Sequence, residues 1–391
     1  MAKKQINVAM IGAGFMGRTH SNAYLKVAKF FDVPVVPRMK VMCDINEAAA
    51  RSMAERWGWE EVMTDYRKVV ARPDIDMVDI LTPNNTHVEI ACAAARAGKI
   101  VACEKPLAMD AAEAKKMVAC VRKAGVPSFV SFNYRRLPAV SLARQLVQEG
   151  RIGRVYHVRA QYLQDWIMNP DFPLVWRLDR RVCGSGSRGD LGAHIIDMAR
   201  FITGEEFESV SGMAETFIKE RPAGRMDGVG LSAAGGGGGG AKMGKVTVDD
   251  ATLFLARFSG GAVGAFEATR FAAGRKNGIH IEVNGARGSL VFDFERMNEL
   301  RFHDHTAPQH LQGWTTIMAT DSSHPYAGAW WPPGHIIGYE HGFINQLADE
   351  LRFIGGELKE YHPDFADGLR VQEVLDAVMK SAASGRWVAV K

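Results

Sequence analysis

The chain has 391 residues, 47% of them hydrophobic and 24% charged, with a formal net charge of +4. That length exceeds what a single hydrophobic core fills, so two domains are expected. The small net charge, carried by scattered Lys and Arg, argues against a nucleic-acid partner, and no apolar run reaches the roughly 18 to 20 residues of a membrane span.

The first apolar run, with Ile6, Val8, Met10 and Ile11, reads as a buried strand rather than a signal peptide, because a glycine turn interrupts it before any cleavage-like site. That turn, Gly12-Ala13-Gly14-Phe15-Met16-Gly17, opens a helix running through Arg18, His20 and Tyr24. In such a unit the first glycine permits the tight turn, the second lets backbone approach a pyrophosphate, and the third allows close helix-to-strand packing. The helix N-terminus then offers N–H groups and partial positive charge to the phosphates. Gly12, Gly14, Phe15, Met16 and Gly17 are therefore candidate cofactor-binding residues.

A second strand-like run, Met39 to Cys43, ends at Asp44. A carboxylate there hydrogen-bonds ribose hydroxyls and repels a 2′-phosphate, favouring NAD over NADP. The alternative is that Asp44 N-caps the helix Glu47 to Trp57. Its spacing from the glycines exceeds the usual roughly 20 residues, an excess that fits an insertion, Phe30 to Pro37, whose two prolines argue against a regular strand core.

Strands and helices then alternate: Met77 to Pro83, helix His87 to Ala97, strand Ile100 to Cys103, helix Ala111 to Lys123 and strand Ser128 to Ser131. The alternation predicts a doubly wound parallel sheet, a Rossmann domain over residues 1–131. Its ligand crevice lies at the carboxyl ends of the strands, where Thr82-Pro83-Asn84-Asn85-Thr86-His87 and Glu104-Lys105-Pro106 sit. Cys43, Cys92, Cys103, Cys120 and Cys183 are isolated and show no C-x-x-C, which suggests reduced thiols and a cytoplasmic location.

After a helix from Val140 to Glu149 the period becomes two: Val155 to Gln164, Val210 to Lys219, Asp250 to Phe258, Ala262 to Thr269, Gly278 to Asn284 and Ser289 to Phe294. This predicts an α+β domain over residues 132–391 on a large, mostly antiparallel open sheet. Two helices close the chain, Glu340 to Ile354 and Phe365 to Ser384, the last able to pack back on the first domain. Phe254, Phe258, Phe266 and Phe292 either lie on an exposed sheet face, suited to homo-oligomerisation, or fill the core. Arg221 to Gly244 includes six consecutive glycines, Gly235 to Gly240, and is expected to be a mobile excursion between strands.

In Gly184 to Asp197, Asp190 begins a helix and shares a face with His194 and Asp197. The pair Asp190 and His194 is either a carboxylate–imidazole catalytic set or an N-cap with a satisfied helix histidine. No further Cys or His completes a metal ligand set at that spacing, so no metal is expected.

These motifs, in this order, together with Asn133-Tyr134-Arg135-Arg136, resemble the Gfo/Idh/MocA oxidoreductases, a family that includes inositol and sugar dehydrogenases. The resemblance covers essentially the whole chain. It implies that Lys105 is the active-site lysine, that Asp190 and His194 complete the catalytic group, and that Pro106 follows a cis bond. It places Thr82, Pro83, Asn85, His87, Glu104 and Lys105 at the cofactor, and it points to a tetramer or dimer. Tyr162 to Trp166, Trp176-Arg177, Glu267 to Arg270 and His324-Pro325-Tyr326 look most like the branch of levoglucosan, scyllo-inositol and L-glucose dehydrogenases.

The implied activity is NAD-dependent oxidation of a secondary hydroxyl of a cyclic sugar or polyol. The alternatives are a keto-sugar reductase or a non-catalytic NAD- or sugar-binding regulator. Such a substrate needs fixed donors and acceptors, for which Asn133, Tyr134, Tyr162, Gln164, Asp165, Trp166, Arg177 and His335 are candidates beside Lys105, Asp190 and His194. The aromatic residues could instead fill a domain junction, and Asp165 could pair with Arg177.

Overall fold

The computed structural model describes residues 3–223 and 242–391, so the run Gly235 to Gly240 lies outside the described residues. The chain divides into two compact units, Met1–Asn133 with Tyr339–Gln372, and Tyr134–Gly338 with Glu373–Lys391.

In the first unit, β1 (Lys4–Ile11), α1 (Phe15–Phe30), β2 (Val35–Cys43), α2 (Glu47–Trp57), β3 (Glu61–Met63), α3 (Tyr66–Val70) and β4 (Met77–Ile80) are followed by α4 (His87–Arg96), β5 (Ile100–Cys103), α5 (Ala111–Ala124) and β6 (Ser128–Val130). The strands form a parallel sheet in the order β3-β2-β1-β4-β5-β6. Val8, Ala9 and Met10 of β1 and all of β4 are buried, as strands covered by helices on both faces must be. The strand order reverses between β1 and β4, which puts a ligand crevice at the carboxyl ends of those two strands.

Two expectations about this unit change. The proline-bearing segment is not excluded from the sheet: β2 starts at Val35, and Pro37 sits opposite Ile6 of β1. Its missing N–H is tolerated because β3 pairs only with Val41, Met42 and Cys43, so β2 is an edge strand at Pro37. Nor are all the thiols reduced. Cys92 on α4 and Cys120 on α5 form a disulfide with Cα atoms 5.4 Å apart, while Cys43, Cys103 and Cys183 are buried free thiols. The two helices pack side by side, bringing together cysteines 28 residues apart that spacing alone did not pair.

The second unit contains α6 (Pro138–Gln148), β7 (Val155–Leu163), α7 (Arg180–Cys183), α8 (Ala193–Thr203), β8 (Phe207–Glu215), β9 (Glu220–Pro222), β10 (Met243–Lys245), β11 (Ala251–Phe258), β12 (Val263–Thr269), β13 (Gly278–Gly285), β14 (Gly288–Asp293), β15 (Glu299–Asp304) and β16 (Trp314–Met318). The helix α9 (Tyr339–Ile354) belongs to the first unit, α10 (Phe365–Ser384) contributes to both, and β17 (Val388–Ala389) returns to the second. Among the described residues the large sheet runs β16-β15-β14-β13-β7-β12-β11-β8-β17, antiparallel except where β7 meets β12.

Alternation along β11 decides which face is open. Phe254, Ala256 and Phe258 are buried, while Leu253 and Leu255 are exposed. Phe266 and Phe292 are buried too, so all four phenylalanines fill the core. The open face instead carries Met213, Leu253, Leu255 and Val263. Arg221 also leaves the expected excursion: it lies in β9, fully buried, and donates to the carbonyls of Ile167, Asn169 and Phe172.

Candidate active site

The glycine turn is built as its spacing predicts. Gly12 has a φ of +117°, and a Cβ there would sit 2.7 Å from Leu81 O. A Cβ at Gly17 would sit 2.7 Å from Gly12 O, whereas at Gly14 it would meet nothing within 4 Å. Two glycines thus serve close packing, and the third leaves open space in front of the α1 N-terminus, where no side chain caps the helix. Asp44 does not cap α2; Asn46 does, accepting from Ala49 N. Asp44 Oδ2 instead accepts from Ala13 N at 2.8 Å, which holds the carboxylate beside the turn. Uncapped N–H groups, an open glycine and an adjacent carboxylate fit a dinucleotide with a free ribose diol.

Of the two crevice loops, the first is internally tied, with Thr86 Oγ1 2.6 Å from Thr82 Oγ1. Asn85 is exposed in this loop. His87 is buried, its Nε2 2.9 Å from Thr82 O and its Nδ1 3.2 Å from Leu107 O. Burial lowers its pKa against these two carbonyls, and a neutral ring, with one N–H, donates to one of them at a time. In the second loop the Lys105–Pro106 bond is cis. Glu104 turns inward: Oε1 lies 3.1 Å from His20 Nε2, and Oε2 accepts from Lys105 N at 3.1 Å.

In the second unit, Asp190 lies in a π-helical turn, Arg188–Gly192, that leads into α8. Such turns recur at functional sites. The capping role goes to Asp249, from beyond the undescribed residues. Its buried carboxylate accepts from Gly186 N, Ser187 Oγ, Arg188 N and Thr252 Oγ1. Burial pushes its pKa up, but the Arg188 charge and these hydrogen bonds outweigh that and hold it below the ordinary value. Only glycine fits at 186, because a Cβ would lie 1.8 Å from Asp249 O.

Asp190 pairs with Arg270 at 2.9 Å, and that guanidinium lies 5.3 Å over the Trp166 ring. His194 is buried against Tyr134 and Tyr162, with ring centroids at 4.6 and 5.9 Å. The two tyrosine hydroxyls are 3.2 Å apart. Asn277, which the sequence reading missed, accepts from Tyr162 OH at 2.5 Å and Gln164 Nε2 at 2.9 Å. Nothing in a lone Asn before a strand signals this. Gln164 Oε1, Trp166 Nε1 and Asn133 Nδ2 are buried polar atoms with no hydrogen-bond partner among the described residues.

The other candidates have partners of their own. Asp197 pairs with Arg135, Asp165 with Lys276 at 2.8 Å, and Arg177 stacks 4.2 Å over Trp176. His335 is exposed, with Nδ1 3.0 Å from Pro332 O.

Residues 6–132 match the oxidoreductase family, NAD-binding Rossmann fold, and residues 140–291 match the GFO/IDH/MocA C-terminal domain. The chain is 43% identical over 393 residues to levoglucosan dehydrogenase of Pseudarthrobacter phenanthrenivorans, covering 99% of this chain and 98% of that one. A crystal structure of an oxidoreductase domain protein from Kribbella flavida superposes with a TM-score of 0.93 at 50% identity, covering 99% of this chain and all of that one. Levoglucosan dehydrogenase in complex with NADH and levoglucosan superposes with a TM-score of 0.92 at 42% identity, again over 99% of this chain and all of that one.

Proposed function

Because the chain belongs to the Gfo/Idh/MocA oxidoreductase family, we propose that it oxidises a secondary hydroxyl of a cyclic sugar, an anhydrosugar of the levoglucosan type above all, with NAD. What carries the reading is an open glycine cradle with its ribose carboxylate, in a chain collinear over 99% of its length with levoglucosan dehydrogenase.

Oxidising a carbinol means removing the hydroxyl proton while hydride leaves the same carbon. When bound, NAD supplies the hydride acceptor. His194 takes the proton, and Lys105 donates a hydrogen bond to the developing alkoxide. Asp190, held by Arg270, binds a neighbouring hydroxyl. Buried polar groups are normally paired, so the unpaired atoms of Gln164 and Trp166 are fitting partners for further sugar hydroxyls.

The test is NADH formation across levoglucosan, inositols and pyranosides. Turnover is expected with levoglucosan or a close anhydrosugar. Silence across the panel, with tight NAD binding, would replace the enzyme by a sensor. Lys105→Ala should lose about 10²- to 10⁴-fold in kcat while still binding NAD.

The open sheet face, with Met213, Leu253 and Leu255 around a depression of about 570 Å³, supports a homo-oligomer, a tetramer or dimer. Leu255→Glu should shift the mass in sedimentation to the monomer. NAD chemistry favours the cytoplasm, the Cys92–Cys120 disulfide counts against it, and among the described residues no helix is long and apolar enough to cross a membrane. Alkylation of thiols in freshly lysed cells would report both compartment and the state of Cys92 and Cys120.

A further inference from the structure

Behind the crevice loops of the first unit, three ionisable side chains from three elements meet at one imidazole. His20, on α1 after the glycine turn, is 9% exposed, Glu104 is 6% exposed and Asp79 of β4 is fully buried. His20 Nδ1 lies 2.8 Å from Asp79 Oδ2, and Nε2 lies 3.1 Å from Glu104 Oε1. Tyr24, one helical turn on, donates to the same Asp79 oxygen at 2.8 Å. The Phe343 ring of α9 packs on the imidazole with centroids 5.5 Å apart.

A carboxylate has no proton to give, so a ring with a carboxylate at each nitrogen donates from both and is the imidazolium. Burial pulls the imidazole pKa down, but the charges and hydrogen bonds of Asp79 and Glu104 outweigh it and raise it to about 10. The ring therefore stays charged throughout the working range of a dehydrogenase. Replacing a buried ion cluster by apolar packing of equal volume is often neutral or stabilising. What this cluster supplies is a fixed direction for Glu104.

That direction matters because the other oxygen, Glu104 Oε2, accepts from the backbone N–H of Lys105. We propose that His20 is a positioning residue for the reaction: by fixing Glu104 between its imidazolium and the Lys105 amide, it sets the backbone from which the Lys105 ammonium extends, and links that backbone to the helix that receives the pyrophosphate. This rests on the reading of Lys105 as catalytic. His20 touches neither reactant in this role and acts only through Glu104.

The test is a double-mutant cycle in the full chain, with levoglucosan and NAD as the probes. His20→Gln keeps one amide donor but loses the charge and the second N–H. It should lower kcat about tenfold to a hundredfold, the cost of a small misplacement of a catalytic group. The KM for NAD should stay within about threefold, since a lost transition-state contact appears in kcat rather than in uniform binding. Glu104→Gln should do the same, and the double variant should be no worse than the worse single, because both act through one contact.

Multiplied losses in the double variant would overturn the inference. So would a His20→Gln protein that melts lower but turns over normally, since that is a structural role alone. If His20→Gln does not fold, adding Asp79→Asn removes the carboxylate that the lost imidazolium leaves unpaired and carries the same kcat readout. Lys105→Ala separates the two readings: normal turnover there removes the catalytic lysine itself, whereas a dead Lys105→Ala beside a normal His20→Gln removes only the positioning role.

Discussion

Under the proposed function the two units recognise their ligands with different parts of the chain. The first uses backbone: glycines that permit close approach, an uncapped helix N-terminus, and a carboxylate tied to a main-chain amide. The second uses side chains drawn from distant positions, with Asp190 on Arg270 and Tyr162 and Gln164 on Asn277. A shared phosphate-bearing cofactor needs only N–H groups at fixed spacing. A particular sugar must be told from its epimers, which takes oriented side chains. Substitutions should therefore fail differently in the two units.

The largest contrast is expected between His194→Ala and Gly14→Val. Loss of the imidazole should cost about 10²- to 10⁴-fold in kcat and leave the NAD dissociation constant unchanged in fluorescence titration. Gly14→Val should do the reverse, weakening NAD by roughly tenfold, about 1–2 kcal/mol of lost interaction at the helix N-terminus. Its melting temperature should hold, since nothing in the protein lies within 4 Å of a Cβ there. A fall in melting temperature as large as in Gly12→Ala, whose Cβ meets Leu81 O, would erase the distinction between the two glycines.

Asn277→Ala sharpens the sugar side. It leaves Tyr162 and Gln164 without their shared acceptor and should weaken sugar binding by about 1–3 kcal/mol, read as a raised KM for levoglucosan with the KM for NAD unmoved. An equal rise in both constants would mean that the cluster does not belong to the sugar.

The smallest effect is one of pH. Burial, with Asp79 nearby, pushes the Glu350 carboxyl from 4.5 up to about 7 against the hydrogen bond from Gln346. Between those values the folded chain holds a proton that the unfolded chain has released, so stability falls as pH rises through that window and then levels. His20 has the same sign in a higher window: its contribution is complete below pH 6.5 and is lost as pH rises through about 10. Glu350→Gln should flatten the melting curve between pH 4.5 and 7 and leave the alkaline limb alone. An unchanged slope would assign it to another group.

Legibility in the sequence follows the same division. The longer strands and helices of the first unit were readable because one period governs each; α2 and β5, and α10 shared by both units, keep the bounds their patterns predicted. The short β3 and α3, and the last two strands of the large sheet on one side, β15 and the edge strand β16, carry too few alternating residues to stand out. Pro37 misled because tolerance of a proline depends on a neighbouring strand's length, which local pattern does not contain. The Cys92–Cys120 bond escaped for a related reason, since helix packing rather than spacing made those residues neighbours.

By itself, the order of residues determined the alternating sheet, the glycine turn and the strand-end position of the lysine loop, because each is a local matter of period, φ or spacing, and it left Asp44 between the turn and a helix cap. Only the folded chain decided that Asp249 rather than Asp190 caps the π-helical turn before α8, that Asp190 answers to Arg270, and that His20 contacts Glu104. Those partners lie 61, 80 and 84 residues apart. A buried charge is satisfied by whatever the topology brings within about 3 Å, and no window along the chain records that distance.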